Sequence, residues 1–276
     1  MSLPRFGPHN DPGPDFAALL RLTGTGLETG SLGASAQHPQ APPEIPHGTT
    51  CVAVRFDSGV VMAGDRRATA GHLISNHRIE KVFPADRHSG VAIAGAAGPS
   101  AEMVRLFQLQ LEHYEKVEGT PISLEGKANQ LGQMVRANLP SAMQGLVVVP
   151  IFAGFDTAAS KGRIFEYDVT GGRYEERDHA ATGSGSLHAD TVVKLGYRTS
   201  MARNAAVDLV LDALYVASDA DSATGGPDPV RDVFPVVAVI DAVGYVRLDD
   251  AELRRRTERL LRRHRSRREG DEAGAS

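Results

Sequence analysis

Residues 47–54 read His-Gly-Thr-Thr-Cys-Val-Ala-Val, where a proline-rich leader stops and a strand-like pattern begins. Thr49 stands at that boundary. A threonine hydroxyl is a poor nucleophile at neutral pH and needs a base within hydrogen-bond reach and donors for the oxyanion it creates. Cleavage between Gly48 and Thr49 would supply the base. The new α-amine has an ordinary pKa of about 7.7 to 8, and a neighbouring cation would lower it further. While the peptide bond is intact its nitrogen cannot serve, so the leader keeps such a site silent. By itself a Gly-Thr pair is far more often a turn beside a strand than a catalytic centre.

Further stretches carry polar or glycine residues of interest. Residues 59–69 run Gly-Val-Val-Met-Ala-Gly-Asp-Arg-Arg-Ala-Thr, with Asp65 and Arg67 inside, followed by Lys81 and by Ala92-Ile93-Ala94-Gly95. Downstream lie Thr182-Gly183-Ser184-Gly185-Ser186 and Asp221-Ser222-Ala223-Thr224-Gly225-Gly226. Taken singly, Lys81 and Arg67 read as solvated charges. Gly95 reads as a strand-ending glycine, and lacking a Cβ it also lets a substrate carbonyl approach its N–H. Residues 182–186 read as a turn opening a helix, without the lysine and strand context of a phosphate loop.

Together these stretches resemble the proteasome β-subunit family of N-terminal nucleophile hydrolases, the actinobacterial type most closely, from Thr49 to about residue 265. The resemblance implies a self-processing threonine endopeptidase with Thr49 as nucleophile and, after cleavage at Gly48–Thr49, as base. It places Lys81 beside the nucleophile, Asp65 as the partner that keeps the ammonium charged and oriented, and the Gly95 N–H in the oxyanion hole. It gives Ser186 and Asp221 a place near the nucleophile, and Arg67 and Thr224 a supporting one. Many relatives carry Ser where Thr224 stands, which keeps the hydroxyl and adds a methyl. Substrate would pair its backbone with Thr69 and the edge from Gly95 to Ala97, and lay a side chain among Ala68, Ile79, Ile93 and Ala97. Those apolar, mostly small residues predict cleavage after hydrophobic side chains.

For partners the resemblance implies like β subunits in a ring, α-type proteasome subunits, an ATPase unfoldase ring and tagged protein substrates, with no cofactor or metal. A non-proteasomal amidohydrolase and a non-catalytic ring subunit stand as alternatives.

The elements that must position these residues follow from composition and pattern. A chain of 276 residues suffices for one large domain. Without Trp and with few aromatics, its core must be built from Val, Leu, Ile and Ala. A net charge of −4 exerts no global pull on nucleic acid or anionic membrane. The single cysteine, Cys51, permits no internal disulfide and suits a cytoplasmic location. No apolar run approaches a membrane span. The short run 16–20 follows Asp11 and Asp15, which argues against a secretory signal.

Residues 1–48 hold half of the prolines and Gly/Ser clusters, and are expected to be mostly disordered, a propeptide removed on maturation. The catalytic domain is expected over 49–265, and a flexible tail over 266–276. Strands are expected at 51–56 and 60–63 around the turn Asp57-Ser58-Gly59, and at 81–83 and 90–95. Two helices follow, one capped by Ser100 and ended by Gly119, the other capped by Ser123 and ended near Pro140. Strands resume at 146–155, 163–167 and 174–177, then helices at 187–197 and 202–218, then a hairpin of 236–241 and 245–248. Strands in blocks and helices in pairs predict an α+β fold with antiparallel sheets faced by helices. That order suits the four-layer αββα sandwich implied by the resemblance. Nine arginines fall within 254–268, interleaved with Glu258 and without aromatics, which reads as a solvated helix end rather than a nucleic-acid surface.

Overall fold

The strand-forming runs Thr50–Phe56 (β1) and Gly59–Gly64 (β2) pair antiparallel across a two-residue turn. Only Arg55 in the two strands escapes full burial. Sheets covered on both faces take such continuous apolar runs in place of polar alternation. In this computed structural model residues 49–274 are described, with side chains through 266, so the expected propeptide lies outside the described residues.

Two short strands, Ala68–Ala70 (β3) and Leu73–Asn76 (β4), form a separate hairpin. They precede Val82–Asp86 (β5) and Ser89–Gly95 (β6). Helices Ala97–Glu118 (α1) and Leu124–Ala137 (α2) follow, with a single turn, Leu139–Ala142 (α3), after them. Next come Val148–Asp156 (β7), Lys161–Tyr167 (β8), Arg173–Glu176 (β9) and His179–Gly183 (β10). The chain continues through helices Ser186–Gly196 (α4) and Arg203–Ala220 (α5), the hairpin Val236–Asp241 (β11) and Gly244–Arg247 (β12), and helix Asp250–Gly274 (α6).

The strands assemble into two five-stranded sheets, ordered β10-β1-β2-β11-β12 and β5-β6-β7-β8-β9. Side chains alternate across each strand, and the alternation sorts them into three apolar layers. Val52, Val54, Val61, Val237 and Val239 face α4 and α5, meeting Val193, Val210 and Leu214. Cys51, Ala53, Met62, Ala92, Ile151, Ile164 and Ile240 fill the space between the sheets. Val91, Phe152 and Phe165 face α1 and α2 with Phe107 and Leu131, and Phe107 meets Phe152 edge-on at 5.9 Å. The chain is therefore an α+β, four-layer αββα sandwich, as expected.

The structure differs from the sequence expectations at several places. α1 starts at Ala97 behind an Ala96 that makes no side-chain cap, and Ser100 already donates its N–H to the Ala96 carbonyl inside the first turn. Pro99 fits that first turn, where its missing donor is not needed. Ser123 does cap α2, accepting the Gly126 N–H at 3.1 Å. β3, β4 and β10 were not foreseen. α6 continues through Gly274, past the boundary set at residue 265. Arg256 on α6 binds Asp208 at 2.6 Å and Arg263 binds Asp212 at 2.7 Å, fastening it to α5.

Candidate active site

Thr49 immediately precedes β1, buried at 5% exposure, with its carbonyl accepting the Ser184 N–H at 2.9 Å. That approach requires glycine next door. Gly183 has φ +101°, and a Cβ there would lie 1.8 Å from the Thr49 oxygen. β10, pairing Thr50 with Gly183 along β1, is the element that brings the 182–186 stretch to the nucleophile.

Asp65 follows β2 and is fully buried. A buried carboxylate must have its lone pairs filled, and here donors arrive from four segments. Oδ1 accepts the Lys81 ammonium at 2.6 Å and the Thr50 N–H at 2.8 Å. Oδ2 accepts the N–H groups of Arg67 and Gly225, each at 2.8 Å. Lys81, 4% exposed, gives a second hydrogen bond to the Arg67 carbonyl at 2.5 Å. The sequence reading of Lys81 as a solvated charge is thereby corrected in favour of the pairing with Asp65. Arg67 bridges onward, its guanidinium donating to the Ser222 carbonyl at 2.9 Å.

Asp221 follows the last turn of α5. Its Oδ2 accepts the hydroxyls of Ser184 and Thr224, both at 2.5 Å, and its Oδ1 accepts the Ala223 N–H. Burial pushes this carboxyl up, but the hydrogen bonds from Ser184, Thr224 and Ala223, with the charge of His188, outweigh it and hold it below the ordinary carboxylate range. The serine beside Asp221 is therefore Ser184, not the expected Ser186. Ser186 is the first residue of α4 and lines a different depression with Glu166, His179 and Asp190. The two serines part company because the chain turns from strand to helix between them.

A cavity of about 230 Å³ opens against Thr49. Ala68, Ile79, Ile93, Gly95 and Ala97, all expected near the substrate, line it together with Lys81. Thr69 is not in its wall; it sits on β3 opposite Ile74. Gly95 has φ +120°, and a Cβ there would lie 2.0 Å from the Val147 carbonyl, so no other residue fits this end of β6.

Phe83 and Ala101 also line the cavity and were missed. Both had a signal: Phe83 is two residues from Lys81 along a strand, and Ala101 is one helical turn from Ala97. Ser100 lines it too, its Oγ buried and without a hydrogen-bond partner among the described residues. Between the sheets, burial pushes the Cys51 thiol up to about 12, so it remains a protonated core group. Among the described residues no group of three or more His, Cys, Asp or Glu could hold a metal ion, and no helix is long and apolar enough to cross a membrane.

A family model described as "Proteasome subunit" matches residues 45–230. The chain is 60% identical to the proteasome subunit beta of Acidimicrobium ferrooxidans over 258 residues, covering 92% of this chain and 91% of that one. It is 59% identical to the proteasome subunit beta of Streptomyces griseus, covering 76% of this chain and 74% of that one. With the Acidothermus cellulolyticus proteasome subunit beta the identity is 55%, covering 88% and 85%. The sandwich fold, the cavity at Thr49 and these likenesses converge, and the chain belongs to the proteasome subunit family as a proteolytic β subunit, a threonine endopeptidase of the 20S core.

Proposed function

We propose that Thr49 is the nucleophile of this endopeptidase and that the chain activates itself by cleaving Gly48–Thr49. The observation that carries this reading is the shared cavity: Thr49 and a Lys81 ammonium locked to Asp65 line the same 230 Å³ space. In the first step the Thr49 Oγ attacks the carbonyl carbon of a peptide bond, and the free α-amine of Thr49 takes the hydroxyl proton. The Lys81 charge favours the developing alkoxide and keeps the amine neutral. The Gly95 N–H donates to the carbonyl oxygen as it becomes an oxyanion. The amine then passes its proton to the leaving nitrogen, the C–N bond breaks, and an ester to Thr49 remains. Water, deprotonated by the same amine, attacks the ester and restores the hydroxyl. In self-cleavage the Thr49 hydroxyl attacks the Gly48 carbonyl carbon, the Gly48–Thr49 C–N bond breaks as the hydroxyl proton passes to the nitrogen, and water hydrolyses the resulting ester to release the leader and leave the free amine.

The apolar wall of Ala68, Ile79, Phe83, Ile93 and Ala97 suits a hydrophobic substrate side chain. An extended peptide would find backbone partners at Thr69 on β3 and at the edge from Gly95 to Ala97. Ser184, Asp221 and Thr224 hold the Thr49 carbonyl and the start of β1 in place. The subunit would work in the cytoplasm in a ring of like β subunits, stacked with α-type subunits and fed with tagged proteins by an ATPase unfoldase ring. No cofactor enters any step.

Thr49→Ala, coexpressed with the α-type subunit, should give an assembled particle that retains the leader by intact mass and cleaves no peptide. Wild-type particles should start at Thr49 and turn over peptides with hydrophobic residues before the scissile bond. Peptidase activity in the Thr49→Ala particle, or a wild-type mature chain beginning elsewhere, would overturn the reading.

A further inference from the structure

We infer that Thr50 is a positioning residue for the reaction, its hydroxyl bonded into the Asp221–Ser184 half of the site while its backbone N–H holds the Asp65–Lys81 half. This rests on Thr49 being the nucleophile. Thr50 lies on the face of β1 that carries Val52 and Val54 into the helix-facing core, and it is fully buried. A hydroxyl at such a position is costly unless hydrogen-bonded. Here it has two partners: the Gly185 N–H at 3.0 Å and the Thr224 hydroxyl at 2.6 Å.

Counting hydrogens fixes the direction of the chain. Asp221 can only accept, so Thr224 uses its one hydroxyl hydrogen on Asp221 Oδ2. The hydrogen between the two threonines therefore belongs to Thr50. Gly185 N–H donates to Thr50, Thr50 donates to Thr224, and Thr224 donates to the carboxylate that also holds Ser184. The backbone of the same residue works on the other side, its N–H donating to the Asp65 oxygen that holds Lys81. Thr50 is thus bonded to both carboxylate clusters, one residue from Thr49.

The geometric consequence concerns Thr49 directly. Its carbonyl is gripped by the Ser184 N–H, and Ser184 is in turn oriented by Asp221. With the Thr50 link intact, the groups that fix Thr49 from the Asp221 side are in register with the ammonium on the Asp65 side. Without it, the Gly225 N–H to Asp65 and the Arg67 guanidinium to the Ser222 carbonyl still tie the two halves, but Thr224 and the Gly185 N–H lose their shared partner, and the reacting atoms lose part of their alignment. Substrate binding in the cavity is unaffected, since Thr50 does not line it.

Thr50→Val keeps the volume and removes the hydroxyl, while Thr50→Ser keeps the hydroxyl and removes the methyl. In assembled wild-type and variant particles, Thr50→Val should lower kcat about tenfold with KM within twofold, as expected for a buried hydrogen bond lost near the reacting groups. Thr50→Ser should restore kcat to within about threefold of wild type. Leader removal should slow in parallel with kcat in Thr50→Val, because the same alignment serves both cleavages. If Thr50→Val does not assemble, Thr50→Ala and Thr50→Ser form the comparison, with Ala about tenfold slower. Equal kcat for the hydroxyl-bearing and hydroxyl-lacking variants would overturn the inference. So would a change in KM alone. An inactive Thr49→Ala particle beside an unimpaired Thr50→Val particle would sink only the role of Thr50, whereas an active Thr49→Ala particle would sink the nucleophile assignment itself.

Discussion

Among the described residues two buried lysines pair with aspartates, and only one of the pairs lies at a candidate site. Lys81 pairs with Asp65 beside Thr49, and Lys127 on α2 pairs with Asp86 at the β5–β6 turn. Both lysines are under 10% exposed, so lysine burial does not tell the pairs apart, although Asp65 is fully buried and Asp86 is 19% exposed. Their wiring does. Asp65 gathers donors from Thr50, Arg67, Lys81 and Gly225, residues up to 160 positions away in the chain. Asp86 binds its own turn through the His88 N–H and the Ser89 hydroxyl, and beyond it, among the described residues, Lys127. The first pair holds several segments in register around a nucleophile; the second ties one turn to one helix. A buried ion pair is weak evidence of function by itself, and the difference shows that the convergence of segments is what marks the site.

Removing each lysine should separate the two roles. Lys81→Ala takes the cation from the Thr49 cavity and should lower kcat about 10²- to 10³-fold, the cost of losing one preorganised electrostatic partner. Peptide turnover by assembled particles measures it, and a variant within threefold of wild type would remove Lys81 from the mechanism. Lys127→Ala should leave turnover per assembled particle within twofold. Its effect should fall on stability, at about 3 kcal/mol, the lower end for a broken buried pair because Asp86 keeps its contacts with Ser89 and His88. Denaturant unfolding of the two proteins gives that number.

Acidification sharpens the comparison with a smaller effect. Burial pushes the Asp86 carboxyl up, but the charge and hydrogen bond of Lys127, with the bonds from Ser89 and His88, hold it below the ordinary range. A carboxyl depressed in the folded state adds stability above its unfolded pKa of about 3.9, and that stability is lost as pH falls through the lower folded value. The stability gap between wild type and Lys127→Ala should therefore be full at pH 6 and narrow below about pH 4. A gap that stays constant down to pH 2.5 would mean that the lysine acts through packing alone.

The same contrast explains what was readable in the sequence. The layered fold could be read because β1, β2, β6, β7 and β11 are buried on both faces and appear as unbroken Val, Ile and Ala runs. β4 could not, since Leu-Ile-Ser-Asn is fully exposed and its apolar residues face no core. β10 could not either: His-Ala-Ala-Thr-Gly has little strand propensity, and its pairing with β1 alone makes it a strand. Asp65 and Lys81 were recognised through the motif they share with relatives, because a donor set drawn from distant segments leaves no local pattern. Ser184 and Ser186 were indistinguishable for a related reason. Their local sequence is the same Gly-Ser, and only the point at which β10 gives way to α4 decides which one meets Asp221.

Ser123 provides the finest test of the local against the distributed. Its hydroxyl caps α2 within three residues and was legible from sequence, and the cap stands on the same helix as Lys127. Ser123→Ala should cost about 1 kcal/mol, typical of a lost N-cap. Because the Lys127 N–H donates to the Ser123 carbonyl in the first turn of α2, fraying that turn loosens the anchor of the Asp86 pair. The double substitution Ser123→Ala with Lys127→Ala should then cost less than the sum of the two single changes, by at least 0.5 kcal/mol on the scale of coupled neighbours. Strict additivity in unfolding measurements would show that the cap and the ion pair act independently, and would confine the coupling of distant residues to the Thr49 end of the molecule.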